Sequence, residues 1–125
     1  MKPIQRGTII WAAIADKERR SESKERPALV VSSNERIAAG DDLAVLVIST
    51  KFAYPPPPHW FLVPSDPSGH PVTGLDQPSV VKTDWPERIP QSQVLQVRGR
   101  APAALVKQVI NYLKQQIAKR PPKPQ

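Results

Sequence analysis

Leu43-Ala44-Val45-Leu46-Val47-Ile48 is an unbroken apolar run, and it constrains the fold of this chain more than any other feature. It has the length of a strand, and a strand with no polar alternation has to be covered on both faces. Three segments share one design. Ala28-Leu29-Val30-Val31 follows Arg26-Pro27, Leu43–Ile48 ends in the hydroxyl pair Ser49-Thr50, and Ser79-Val80-Val81 runs into Lys82-Thr83-Asp84. Each buried strand thus delivers polar chemistry at one end. With 125 residues and 39% of them hydrophobic, the chain is long enough for one core and too short for two.

The remaining segments read as short strands joined by turns. Thr8–Ile14, after Gly7, is β-branched and aromatic and forms a first strand, with Trp11 placed in the core. Residues Asp16–Glu25 are almost all charged and read as a solvated loop that could fold over a ligand. Pro27 lacks an N–H, so it must start its strand or lie at an edge. Ser32–Arg36 reads as a polar exit, and Pro55–Pro58 as a stiff polyproline spacer before the strand Trp60–Val63. Asp66–Gly69 is a turn, and Val94–Val97 a last short strand. Helical spacing is confined to the end, where Leu105, Val106, Val109, Ile110, Leu113 and Ile117 form one apolar stripe. Pro102 suits the first turn of that helix and Pro121-Pro122 stops it. The expected architecture is mainly β: an SH3-like, partly open small barrel with a C-terminal α-helix, one domain over residues 1–119, and a disordered basic, proline-rich tail at 120–125.

Lys and Arg number 18 against 11 Asp and Glu, a formal charge of +7. This favours polyanionic partners through steering and counterion release, and fits equally a merely solvated basic surface. Cysteine is absent and His59 and His70 are the sole histidines, so disulfides and thiolate metal sites are excluded. No carboxylates cluster at a ligand spacing, and neither metal nor cofactor is expected. Met1–Arg6 lacks a signal-peptide core and no run reaches bilayer length, so a cytoplasmic protein away from membranes is expected.

The order of Ile10-Trp11, Arg26-Pro27 before an apolar strand, the strand-end hydroxyls at 49–50, Lys82-Thr83-Asp84 and Gly99-Arg100 before a terminal helix resembles the MazF/PemK family of toxin ribonucleases. The resemblance spans about the first 115 residues, one ordinary domain. It implies a toxin-type endoribonuclease that cuts single-stranded RNA without metal, leaving a 2′,3′-cyclic phosphate and a 5′-hydroxyl. It also implies a homodimer and neutralisation by an acidic, partly disordered antitoxin. The rival from another class is a non-catalytic nucleic-acid-binding or gyrase-directed module on the same barrel.

Metal-free RNA cleavage needs a base for the 2′-hydroxyl, donors for the phosphorane charge and an acid for the departing 5′-oxygen. Arg26 offers a planar, always charged fork suited to two phosphate oxygens, and the resemblance gives it the catalytic arginine's place. Its bland alternative is a rim ion pair with Glu25 or Asp84. Ser49 takes the position of the family hydroxyl and Thr50 the adjacent one, so either could donate to a phosphate oxygen. Lys82 and Asp84, two apart on a strand, share a face. Asp84 is the candidate base. Lys82 stands where the PemK branch carries arginine in Arg-x-Asp, with acid and base roles. The alternative is a plain Lys82–Asp84 surface pair. Lys51, Arg20 and Lys24 are further cations for RNA, and Trp60 and Trp85 flank the rim as platforms for bases. The loop at 17–24 lacks the histidine that relatives often carry there.

Overall fold

The computed structural model describes residues 3–119, so the expected tail at 120–125 lies outside the described residues. Strand β1 (Thr8–Ala15) is followed by β2 (Ser23–Val30), a short helix α1 (Asn34–Ala38), β3 (Leu43–Ser49), β4 (Trp60–Val63), β5 (Ser79–Ile89), β6 (Val94–Arg100) and helix α2 (Ala103–Ala118). The six strands form one antiparallel sheet in the order β4-β5-β3-β2-β1-β6, with β4 and β6 at its two edges. The architecture is mainly β with a C-terminal helix.

Alternation along the central strands sorts their side chains into two cores. Ile10, Ala12, Ala28, Val30, Val45 and Val47 lie on one face, where Ile37 of α1, Trp85 and Val94 cover them. Ile9, Leu29, Leu46, Ile48 and Val81 lie on the other, under Leu105 and Val109 of α2. Burial of β3 on both faces follows from its unbroken apolar run, each fully buried side chain contributing about 1.5–3 kcal/mol. The stripe of α2 is the partner that one of those faces requires.

Four boundaries differ from the sequence reading. Strand β2 begins at Ser23, inside the charged stretch, because pairing with β1 recruits Ser23–Glu25 opposite Ala13–Ala15. Pro27 is therefore the fifth residue of its strand, not the first. It is tolerated because the β2–β3 ladder covers only Ala28–Val30, which makes Pro27 a local edge. The exit at Ser33–Arg36 is a helical turn instead of a loop, capped by Ser33 Oγ, which accepts the Arg36 N–H. Strands β5 and β6 run past Asp84 and Val97, to Ile89 and Arg100. The β3–β5 register slips between Leu46 and Ile48, so β5 bulges over 82–85.

Candidate nucleic-acid interface and active site

The ends of β2 and β3 meet at one rim of the sheet. There Arg26, Ser49, Thr50, Lys51 and Lys24 line a single cleft of about 330 Å³, together with Trp11 and Arg98. Five of the residues expected to contact RNA thus come together although 27 positions separate the first from the last.

Arg26 is held from two sides. Its Nη2 donates to Asp16 Oδ2 at 3.4 Å, and its guanidinium lies 4.9 Å from the centre of the Trp85 ring. Its Nε is buried without a hydrogen-bond partner, and only 20% of its side chain is exposed. The ion-pair partner is Asp16, not Glu25 or Asp84. The N–H groups of Arg19 and Glu18 hold the Asp16 carboxyl below the usual aspartate value, and the Arg26 charge adds to this. Asp16 is thereby a fixed anion that ties the turn after β1 to the guanidinium.

Ser49 closes β3, and its Oγ accepts the Lys51 N–H at 3.0 Å. That bond leaves the hydroxyl proton of Ser49 free to donate. Thr50 lies one residue past the strand, where alternation no longer separates neighbours, so both hydroxyls reach the cleft.

Lys82, Asp84 and Trp60 form an adjoining group. Lys82 Nζ sits 4.6 Å from the centre of the Trp60 ring, while Trp60 Nε1 donates to Asp84 Oδ1 at 2.9 Å. Lys82 and Asp84 share a face as alternation requires, with buried Thr83 between them donating to the His59 carbonyl. The ion pair is nevertheless Lys17–Asp84, at 3.3 Å, in place of a Lys82–Asp84 pair. Burial pushes the Asp84 carboxyl up, but hydrogen bonds from Lys17 and Trp60 outweigh it and hold the group below the usual value. Burial pushes the Lys82 ammonium down. Asp84 opposes that shift, and the charges of Lys17, Arg26 and Lys51 reinforce it. Those repulsions place Lys82 within the same positive field as the cleft.

Two aromatic assignments reverse. Trp85 is 7% exposed, packed in the core with its Nε1 donating to Glu87, so it is a shelf beneath Arg26 and not a platform for a base. Trp11, expected in the core, is only part-buried; it lines the cleft, donates to Glu25 Oε2 and carries Arg98 5.1 Å from its ring centre. Arg20 is engaged by both carboxylate oxygens of Glu87, which removes it from the group of free cations. His59 packs between Trp60 and Tyr112, and His70 accepts two backbone N–H groups of its own turn, so neither enters the cleft. Among the described residues no three His, Asp or Glu side chains gather as a metal-ligand set, and no helix is long and apolar enough to cross a membrane.

Sequence reasoning missed Lys17, Asp16 and Arg98. The first two sit in a charged stretch whose partners lie up to 67 residues away, and Arg98 reaches the cleft only because β6 pairs with β1.

Comparison with known proteins identifies the fold. An endoribonuclease in complex with its cognate antitoxin, from a Mycobacterial species, has the same fold at 21% identity, with 98% of this chain and 100% of that one covered and a TM-score of 0.62. MazE-MazF (Form-II) from Deinococcus radiodurans matches with a TM-score of 0.68 at 18% identity, over 96% and 100% of the two chains. The Mycobacterium tuberculosis toxin MazF-mt6 matches with a TM-score of 0.63 at 20% identity, over 90% and 97%. None of the proteins with curated descriptions matches the sequence. Residues 5–117 match the family described as the PemK-like, MazF-like toxin of type II toxin-antitoxin systems, and the chain belongs to that family.

Proposed function

We propose that this protein is the endoribonuclease toxin of a type II toxin–antitoxin pair, and that it cuts single-stranded RNA in the rim cleft without a metal ion. The observation that carries this reading is the fixed Arg26 guanidinium, braced by Trp85 and Asp16 beside the Ser49 and Thr50 hydroxyls. Fold relatives described as endoribonucleases, one with its cognate antitoxin, support it. Asp84 takes the proton from a 2′-hydroxyl, and the 2′-oxygen attacks the adjacent phosphorus. Arg26 and Ser49 donate to the phosphorane oxygens, where charge is greatest. Lys82 returns a proton to the departing 5′-oxygen, so the products are a 2′,3′-cyclic phosphate and a 5′-hydroxyl. A lysine with a lowered pKa releases that proton more readily than an ordinary one, which suits lysine in a place where relatives carry arginine. Phosphate near Asp84 raises its basicity in the complex.

The basic surface suits both single-stranded RNA and an acidic antitoxin segment, and the working unit is a homodimer in the cytoplasm. Incubating the protein with a long RNA in EDTA tests the reading. Fragments ending in cyclic phosphate are expected. Intact RNA of retarded mobility would instead establish a non-catalytic binding module.

A further inference from the structure

Arg26 is one of two arginines in the cleft built in the same way. Arg98, on β6, lies over Trp11 of β1 as Arg26 of β2 lies over Trp85, and each guanidinium has a buried Nε with no hydrogen-bond partner. They differ in compensation. Arg26 has Asp16, whereas no carboxylate lies within ion-pair distance of Arg98 among the described residues. Glu25 and Asp76 line the cleft as well, and Glu25 is engaged by the Trp11 indole N–H.

The backbone that presents Arg98 is locked. Gly74 has a positive φ of 74°, and a Cβ there would overlap the Arg98 carbonyl oxygen; a Cβ on Gly99 would overlap the Val72 carbonyl oxygen. The loop at 72–75 therefore clamps β6 at this residue. A half-buried cation without a counter-charge is unfavourable unless something supplies one, and a guanidinium on an indole face keeps its fork of donors for two oxygens of one anion.

We propose that Arg98, seated on Trp11, is a second phosphate-binding subsite of the cleft and takes a backbone phosphate of the RNA next to the one held by Arg26. The proposal rests on the RNA-cleaving reading and adds to it a contact that fixes the strand at a phosphate beside the reacting one. Such a contact acts in substrate binding, so its loss raises KM more than it lowers kcat.

The test is the salt dependence of binding to a mixed-sequence single-stranded oligoribonucleotide carrying 2′-O-methyl groups throughout, which cannot be cleaved. Each phosphate contact contributes a slope of about −0.7 in log K against log salt for single strands. Arg98→Gln should make the slope shallower by about 0.7 and weaken binding on the order of tenfold. Trp11→Leu should weaken binding while keeping most of the slope, because the Arg98 charge remains, and Trp11→Phe should restore most of the affinity by returning a ring under the guanidinium. Thermal melting establishes that each variant is folded. If Arg98→Gln fails to fold, Arg98→Lys is used, which should keep the slope and lose affinity because it keeps charge and loses the fork. Wild-type slope and affinity in a folded Arg98→Gln, or in Arg98→Lys where that stands in, would overturn the subsite while leaving the RNA reading intact, provided Arg26→Ala still weakens binding. No binding of the probe by the wild type would overturn both.

Discussion

Two concavities in this protein differ in size, and the candidate site is the smaller of them. A concavity of about 670 Å³ at the β2–α1 end is lined by Arg6, Arg36 and Arg88 with Asp41 and Asp42, and it is twice the size of the rim cleft. Two of its three arginines are engaged by the fold. Arg6 Nε donates to the carbonyls of Val31 and Ser32, and Arg36 pairs with Asp41. The rim cleft gathers Lys24, Arg26, Lys51 and Arg98 around Glu25 and Asp76, with Lys82 close enough for its ammonium to feel two of them. Volume describes where a ligand fits. Uncompensated charge describes which ligand would be held, and here it marks the smaller space.

The largest expected effect belongs to Arg26. Arg26→Ala should lower single-turnover RNA cleavage by two to three decades, about 3 kcal/mol of barrier, with the melting transition retained. Near wild-type cleavage by a folded variant would move the site away from the rim.

Asp84→Asn should follow, with about two decades lost in rate and affinity for uncleavable RNA kept or tightened, since a negative charge near phosphate is removed. Loss of binding together with rate would indicate misfolding or a positioning role. The pH profile sharpens this assignment. Asp84 is depressed, so the acid limb, where the base becomes protonated, should fall below the ordinary aspartate range in free enzyme. Lys82 is depressed as well, so activity should decline on the alkaline side before the usual lysine value as the acid is lost. Lys82→Arg should abolish that alkaline limb; an unchanged limb would take the acid role from Lys82.

Much of this geometry was legible in residues close together. The apolar run at 43–48 set a strand buried on both faces, the stripe from Leu105 to Ile117 set α2, and the hydroxyls at 49–50 stood at the end of β3, with Arg26 inside β2 opposite them in the cleft. The tryptophans were misjudged for different reasons. The alternation that puts Lys82 and Asp84 on one face also puts Thr83 and Trp85 on the buried one, so the burial of Trp85 was available from period two alone. Trp11 was not, because its exposure depends on which strand lies beside β1, and the answer, β6, pairs it with Gln96, 85 residues downstream. Arg26–Asp16 and Lys17–Asp84 were hidden likewise: a charged stretch does not announce its partners, and sheet order chooses them.

Smaller effects separate the two hydroxyls. Ser49→Ala should slow cleavage about tenfold and Thr50→Ala about twofold, because Ser49 is oriented by the Lys51 N–H and keeps its proton to donate. Equal losses, or the reverse ranking in the same assay, would assign the donor to Thr50.

The weakest effect on chemistry should come from the larger cavity. Arg6→Ala removes donors to the Val31 and Ser32 carbonyls and should lower stability by about 1 kcal/mol in denaturant titration, with cleavage per folded molecule unchanged. A loss of rate there would make the two concavities one functional surface.

The most direct measurement is amide chemical-shift mapping of the 15N-labelled protein titrated with the 2′-O-methyl oligoribonucleotide. Perturbations should concentrate at Lys24–Arg26, Ser49–Lys51, Lys82–Asp84 and Arg98, and leave Ser32–Arg36 and Asp41–Ala44 in place. Shifts confined to the second set would contradict the claim that uncompensated charge at the rim, and not the larger cavity, receives the RNA.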